Sequence, residues 1–234
     1  ISVSLLLPIA VLLYFTVQGI NYDIRFAELE VAGNEYQRPL MLLLDHASRH
    51  QSLAHRQLSS SAAAESSTDD VEDALSDESA KITMSVQSLL AAQQTHGTAL
   101  QFTESGLSKR QRTHAHPDRL LADWTQLRDG LSTMKVSASD RAHRQLLDTI
   151  RAMISHSGDT SNLILDPDLD SYYLMDVTLL GLPQTLDRLG QLRSQGREWL
   201  AAGSALSEVQ KRQLAVQESL LKESDVDRVV GSVR

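Results

Sequence analysis

From Ile1 to Tyr22 the chain carries no Asp, Glu, Lys or Arg. An uncharged run of that length restricts the possible structures more than any other feature. A helix rises about 1.5 Å per residue, so this run is long enough to cross a hydrocarbon layer of about 30 Å. Pro8 is compatible with such a span because neighbouring groups satisfy the carbonyl it frees, and Tyr14 and Tyr22 suit a membrane interface. The rival, a secretory signal peptide, fits less well: the run is long for its apolar region, and no small-x-small cleavage pattern follows. Residues 1–22 are therefore expected to form a transmembrane helix anchored in the membrane. The chain starts without Met and already inside the apolar run, which reads as a piece of a longer protein.

Beyond the span the apolar residues keep a helical period. Ile20, Ile24, Ala27 and Val31 carry the pattern out of the membrane, so the first helix should continue into the following region. Val71, Leu75, Ile82, Val86, Leu89 and Leu100 fall close to one helical face. Leu120, Trp124, Leu127 and Leu131 share another, and Leu146, Leu147, Ile150, Met153 and Ile154 a third. Met175, Leu179, Leu182, Leu186 and Leu189 form the plainest stripe, with gaps of four and three residues in alternation. Alternating apolar and polar runs are missing, which argues against a sheet. Aromatic residues make up 4% of a chain that is 41% hydrophobic, so Leu, Ala, Val and Ile must build the core. The expected fold is all-α: the membrane-spanning helix continues into an elongated antiparallel bundle of about five or six helices.

Punctuation divides this pattern. Gly33 and Pro39 should interrupt and kink the first helix. Residues 58–79, rich in Ser, Ala, Asp and Glu, read as an acidic connection whose second half could enter a helix. Gly97 and Gly106 bracket the end of the second helix. Ser108 to Pro117 reads as a basic loop in which Lys109, Arg110 and Arg112 could meet an anion, and Pro117 opens a short helix with Trp124 as a core anchor. Ser137 and Asp140 have the spacing of a capping box, as do Ser207 and Gln210. The helix that Ser137 opens is expected to run to Asp166, where Pro167 stops it, with a bend or a close helix approach at Gly158–Ser161. The next helix should reach Gly203, kinked near Pro183.

Several residues invite a chemical reading. His46 and His50 lie four apart on one helix face, the spacing two imidazoles need to share a metal ion, with Asp45 and His55 near by. A third and fourth ligand are not evident, and a solvated polar face is the better account. Asp166, Asp168 and Asp170 have the first three positions of a calcium loop. The sixth position is Ser171 where glycine is needed and the twelfth is Val177 where a glutamate belongs, so helix capping explains these acids better. Tyr172 and Tyr173 are adjacent, so one of them is turned away from any core and available to a ligand. A net charge of −8 argues against a nucleic-acid surface, and with no cysteine there is no disulfide or thiolate chemistry. Phosphate loops, nucleotide-binding glycine patterns and hydrolase or zinc-protease motifs are lacking, so no enzyme and no cofactor is expected within this sequence.

Three blocks carry a resemblance: Leu5 to Ile20, Gly33 to Leu40, and Asn162 to Asp176, the last being the most specific. Together they resemble the membrane-proximal and extracytoplasmic input regions of bacterial sensor histidine kinases and methyl-accepting chemotaxis receptors. The resemblance implies that residues 23–234 are an extracytoplasmic sensor domain anchored in the bacterial inner membrane, and that the parent is a homodimer. The signal it implies is a small molecule or a periplasmic protein. The kinase is favoured over the chemoreceptor, and a ligand-free structural or dimerisation bundle is the reading from a different class. If a pocket exists, the distinctive polar residues of the recognisable blocks, Tyr36 and Arg38 with Asp168, Asp170, Tyr172 and Tyr173, are the expected grip on an anionic ligand.

Overall fold

The computed structural model describes residues 2–63, 69–165, 173, 175–201, 203 and 205–232. It is 90% helical, and no strand occurs among the described residues. The helices are α1 (Ser2–Ala63), α2 (Asp69–His96), α3 (Glu104–Lys109), α4 (Pro117–Gly130), α5 (Val136–Thr160), α6 (Leu182–Ala201), α7 (Glu208–Leu220) and α8 (Asp227–Ser232). A π-helical turn, Asp176–Gly181, leads into α6, and another, Leu221–Val226, joins α7 to α8.

α1 is unbroken across both Pro8 and Pro39, which overturns the interruption expected at Gly33 and Pro39. Packing supplies the reason. Ala32, Tyr36, Leu40, Leu43, Leu44 and Ala47 are all buried along one face, and burial of that stripe outweighs a proline cost of about 3 kcal/mol. Gly33 turns out to be a contact residue: a Cβ there would stand 2.2 Å from Ser161 Cβ at the end of α5. From Leu6 to Arg25 α1 is bare. Leu6, Leu7, Leu12, Leu13, Phe15 and Ile20 are all exposed, and this is a helix long and apolar enough to cross a membrane.

α2 begins at Asp69 with Asp69, Asp70 and Glu72 in its first turn, where the helix dipole favours negative charge. With α1 helical to Ala63, the acidic connection assigned to 58–79 is mostly helix, and only 64–68 separate the two. Val71, Leu75, Ile82, Val86 and Leu89 are buried as their spacing predicts. Pro117 opens α4, His116 Nδ1 caps it, and Trp124 is buried.

α5 departs from expectation at both ends. It starts at Val136 with Lys135 at the cap position and no side-chain cap, so Ser137 lies inside the helix. Asp140 is drawn instead to His55, which removes it from any capping role. At the other end α5 stops at Thr160, because Asn162 takes a left-handed backbone, φ 64°, just past the Ser161 cap. The corner from Asp166 to Tyr172 lies outside the described residues. After it, the π turn Asp176–Gly181 ends two residues before Pro183, the position where the kink is expected. Ser207 and Gln210 form the full reciprocal capping box that their spacing predicts.

Pairings fix how the long helices run. Tyr36 meets Gln93 and His46 meets Glu78, so α2 is antiparallel to α1. Gln37 donates to the carbonyl of Ile154, and His50 meets His143, so α5 is antiparallel to α1 as well. Two ion pairs tie the C-terminal segment to α6 and its π turn: Arg188 with the buried Asp225 at 2.5 Å, and Arg228 with Asp176.

Candidate functional site

The inward face of α1 carries His46 and His50, with His55 at its edge. The three rings take separate partners. His46 Nδ1 is 2.8 Å from Glu78 Oε2 on α2, and His55 Nδ1 is 3.0 Å from Asp140 Oδ2 on α5. His50, fully buried, lies between α2 and α5 with Trp124 against it in a T-shaped contact. Its Nδ1 is 2.8 Å from His143 Nε2 and its Nε2 is 2.9 Å from Ser79 Oγ.

Bond directions follow from the one group that can only accept. The carbonyl of Ser139 lies 2.8 Å from His143 Nδ1, so that nitrogen carries the hydrogen. His143 Nε2 must then accept from His50 Nδ1–H, and His50 Nε2 accepts from the Ser79 hydroxyl. Every bond in this series has one donor and one acceptor while both rings are neutral. Burial, and secondarily the neighbouring His143, push His50 down to about 3, and burial lowers His143 too. Rings held neutral in fixed tautomers serve to align three helices, not to move protons near pH 7. His46 and His50 do not converge on a common point, and among the described residues no group of three or more His, Asp or Glu is placed to hold a metal ion.

Tyr36 is a core residue. Its ring stacks on Phe102 with centroids 4.3 Å apart, and its hydroxyl donates to Gln93 Oε1 at 2.8 Å. Burial pushes the phenol well above its ordinary range. Arg38, about 200° further round the helix, is exposed, so the two residues point away from each other. Tyr173 is exposed, while Asp168, Asp170 and Tyr172 lie outside the described residues. The basic loop is tied down in part: Arg110 donates to Gln101 Oε1 and Arg112 to Asp159.

A cleft of about 340 Å³ opens elsewhere, between α1, α5 and α6. α1 lines it with Ser48, Gln51, Ser52 and His55, and α5 with Arg144, Leu147, Asp148 and Arg151. Both sets have the spacing i, i+3, i+4, i+7, which puts each on a single helical stripe. α6 closes the third side with Gly190, Gln191, Arg193 and Gln195. Arg151 donates to Asp148 at 2.7 Å, and Arg193 reaches across to the hydroxyl of Ser52. Arg144 is exposed and makes no hydrogen bond or ion pair among the described residues. No motif distinguishes these arginines in the sequence. The signal they carry is the matched spacing on α1 and α5, at the polar edge of each helix.

No protein-family model, curated protein or solved structure matches the chain. Fold and cleft together define a helical protein with, among the described residues, one helix long and apolar enough to span a membrane and a basic cleft beside its core.

Proposed function

We propose that this chain is the signal-input region of a bacterial transmembrane receptor, a sensor histidine kinase of a two-component system. In this reading residues 1–22 cross the inner membrane and residues 23–234 form an elongated antiparallel bundle outside the cytoplasm. The observation that carries it is α1, a single helix that is bare and apolar at one end, buried from Ala32 onward, and a wall of the cleft at Ser48 to His55. A rigid element shared by membrane segment and cleft can pass on a change in the balance between two helix arrangements. A second reading, a ligand-free dimerisation bundle, is favoured by the exposed stripe Leu182, Leu186 and Leu189 on α6.

Phosphoryl transfer in the full-length parent tests the choice. Membranes containing it are given labelled ATP, with one or two residues inserted after Tyr22 to turn the span by about 100° per residue. A kinase receptor takes up acid-labile histidine phosphate at a level that the insertions shift. A folded, membrane-inserted parent that takes up no such label belongs with the chemoreceptors. Label that is indifferent to every insertion favours the structural bundle.

A further inference from the structure

We propose that the cleft between α1, α5 and α6 binds a small solute bearing a carboxylate or phosphate group, with Arg144 as its principal donor. Four lining side chains carry a full charge at neutral pH. Three are guanidinium groups, Arg144, Arg151 and Arg193, and one is a carboxylate, Asp148. That local excess of positive charge stands out in a chain whose net charge is −8. The groups are also held in different ways. Arg151 is braced by Asp148 and Arg193 by Ser52, which fixes two sides of the cleft before a ligand arrives. Arg144 keeps its whole planar donor fork available, the geometry that matches two oxygens of one oxyanion. Gln51 and Gln195 add carboxamides that form no hydrogen bonds among the described residues and can engage the uncharged part of a solute. A volume of about 340 Å³ admits a small metabolite but not a folded partner.

A lipid headgroup offers the same oxyanion chemistry. The choice of a free solute rests on the membrane-anchored reading: Ser48 is 26 residues past Tyr22, which places the cleft about 40 Å along α1 from the end of the span.

The test is equilibrium titration of the full chain in uncharged-lipid nanodiscs with inorganic phosphate and, separately, with succinate, using Arg144→Ala and Lys211→Ala variants. Lys211 lies on α7 and is not one of the residues that line the cleft. Saturable binding of at least one anion is expected, weakened about tenfold or more by Arg144→Ala and unchanged by Lys211→Ala. Arg144 is exposed and unpaired, so its loss leaves the fold intact, and an unchanged circular-dichroism melt checks this. Absence of saturable binding of both anions overturns the proposal, as does binding indifferent to Arg144→Ala. Binding that appears only when anionic lipid replaces the uncharged lipid overturns the free-solute assignment. Anion binding in a parent whose output ignores the insertions after Tyr22 removes the receptor reading and leaves the cleft; the reverse result removes the cleft alone.

Discussion

Three histidines are held neutral by burial, and each makes the fold sensitive to acid. His50 has both ring nitrogens engaged in bonds that require its uncharged form. Around it stand Trp124 from α4, Ser79 from α2 and His143 from α5, with no carboxylate in contact to favour the cation. His156 donates from Nε2 to the carbonyls of Leu100 and Gln101 while its buried Nδ1 has no partner, so a proton added there would find no acceptor. Burial lowers all three, His50 to about 3. In the unfolded chain the same rings titrate near 6.5, so below that pH the unfolded state binds more protons than the folded one. Stability is therefore complete above about pH 6.5 and declines as pH falls toward the depressed folded values, with a slope approaching about 1.4 kcal/mol per pH unit for each ring. Urea denaturation of the full chain at pH 7.5 and pH 5 should show a clear drop in midpoint. The His50→Gln variant should be less stable at pH 7.5 yet show a smaller drop. An equal drop in the variant would mean that His50 is not the acid-sensitive group.

The contact between α1 and α5 is set by how closely their backbones approach at Gly33. Replacing Gly33 with Ala should gain about 1 kcal/mol of helix propensity, but the new methyl would meet Ser161 Cβ at 2.2 Å and Oγ at 2.4 Å. A Cβ atom cannot rotate away, so the helices must separate. Overpacking of this kind costs about 1–3 kcal/mol, and the net expected effect of Gly33→Ala is destabilisation by up to about 2 kcal/mol. Ser161→Gly in the same chain should recover much of it, giving a coupling of at least about 1 kcal/mol in a double-mutant cycle read by denaturation midpoints. Additive effects would place the clash elsewhere. This contact also shows what the sequence reveals and what it conceals. The apolar stripes of α2, α4 and α5 follow from helical spacing alone, because period is a local property. The small residues Gly158 to Ser161 announce a close approach, but Gly33 on the other side reads as a break, since a glycine that admits a neighbour and one that ends a helix look alike. The two capping boxes make the same point. Ser207 forms one because nothing competes for it, while Asp140 is taken by His55, 85 residues away. Arg144 and Arg151 share one stripe of α5 by spacing, but Arg193 joins them only once α6 is packed, and no local signal draws it there.

At the scale of the whole molecule, the leucine stripe of α6 is predicted by spacing yet remains open. Leu182, Leu186 and Leu189 are 41%, 43% and 45% exposed, although their alternation of three and four residues is that of a helix seam. A second copy of the chain is the expected cover. On the proposed membrane-anchored reading, two copies share an orientation, and a two-fold axis along the membrane normal brings the same face of each α6 together. Covering each leucine contributes about 1 kcal/mol per copy, enough to pair chains that a membrane span, as proposed, confines to one bilayer. The absence of cysteine makes the test direct. Leu186→Cys in membrane-embedded chain should give a cross-linked dimer under mild oxidation, and Leu189→Asp added to it should suppress that product by removing the apolar seam. Cysteine in place of Val209 on α7, outside the stripe, should cross-link far less. A membrane-embedded dimer detected by other means but never cross-linked through residue 186 would put the interface on another face and leave this stripe for a different partner.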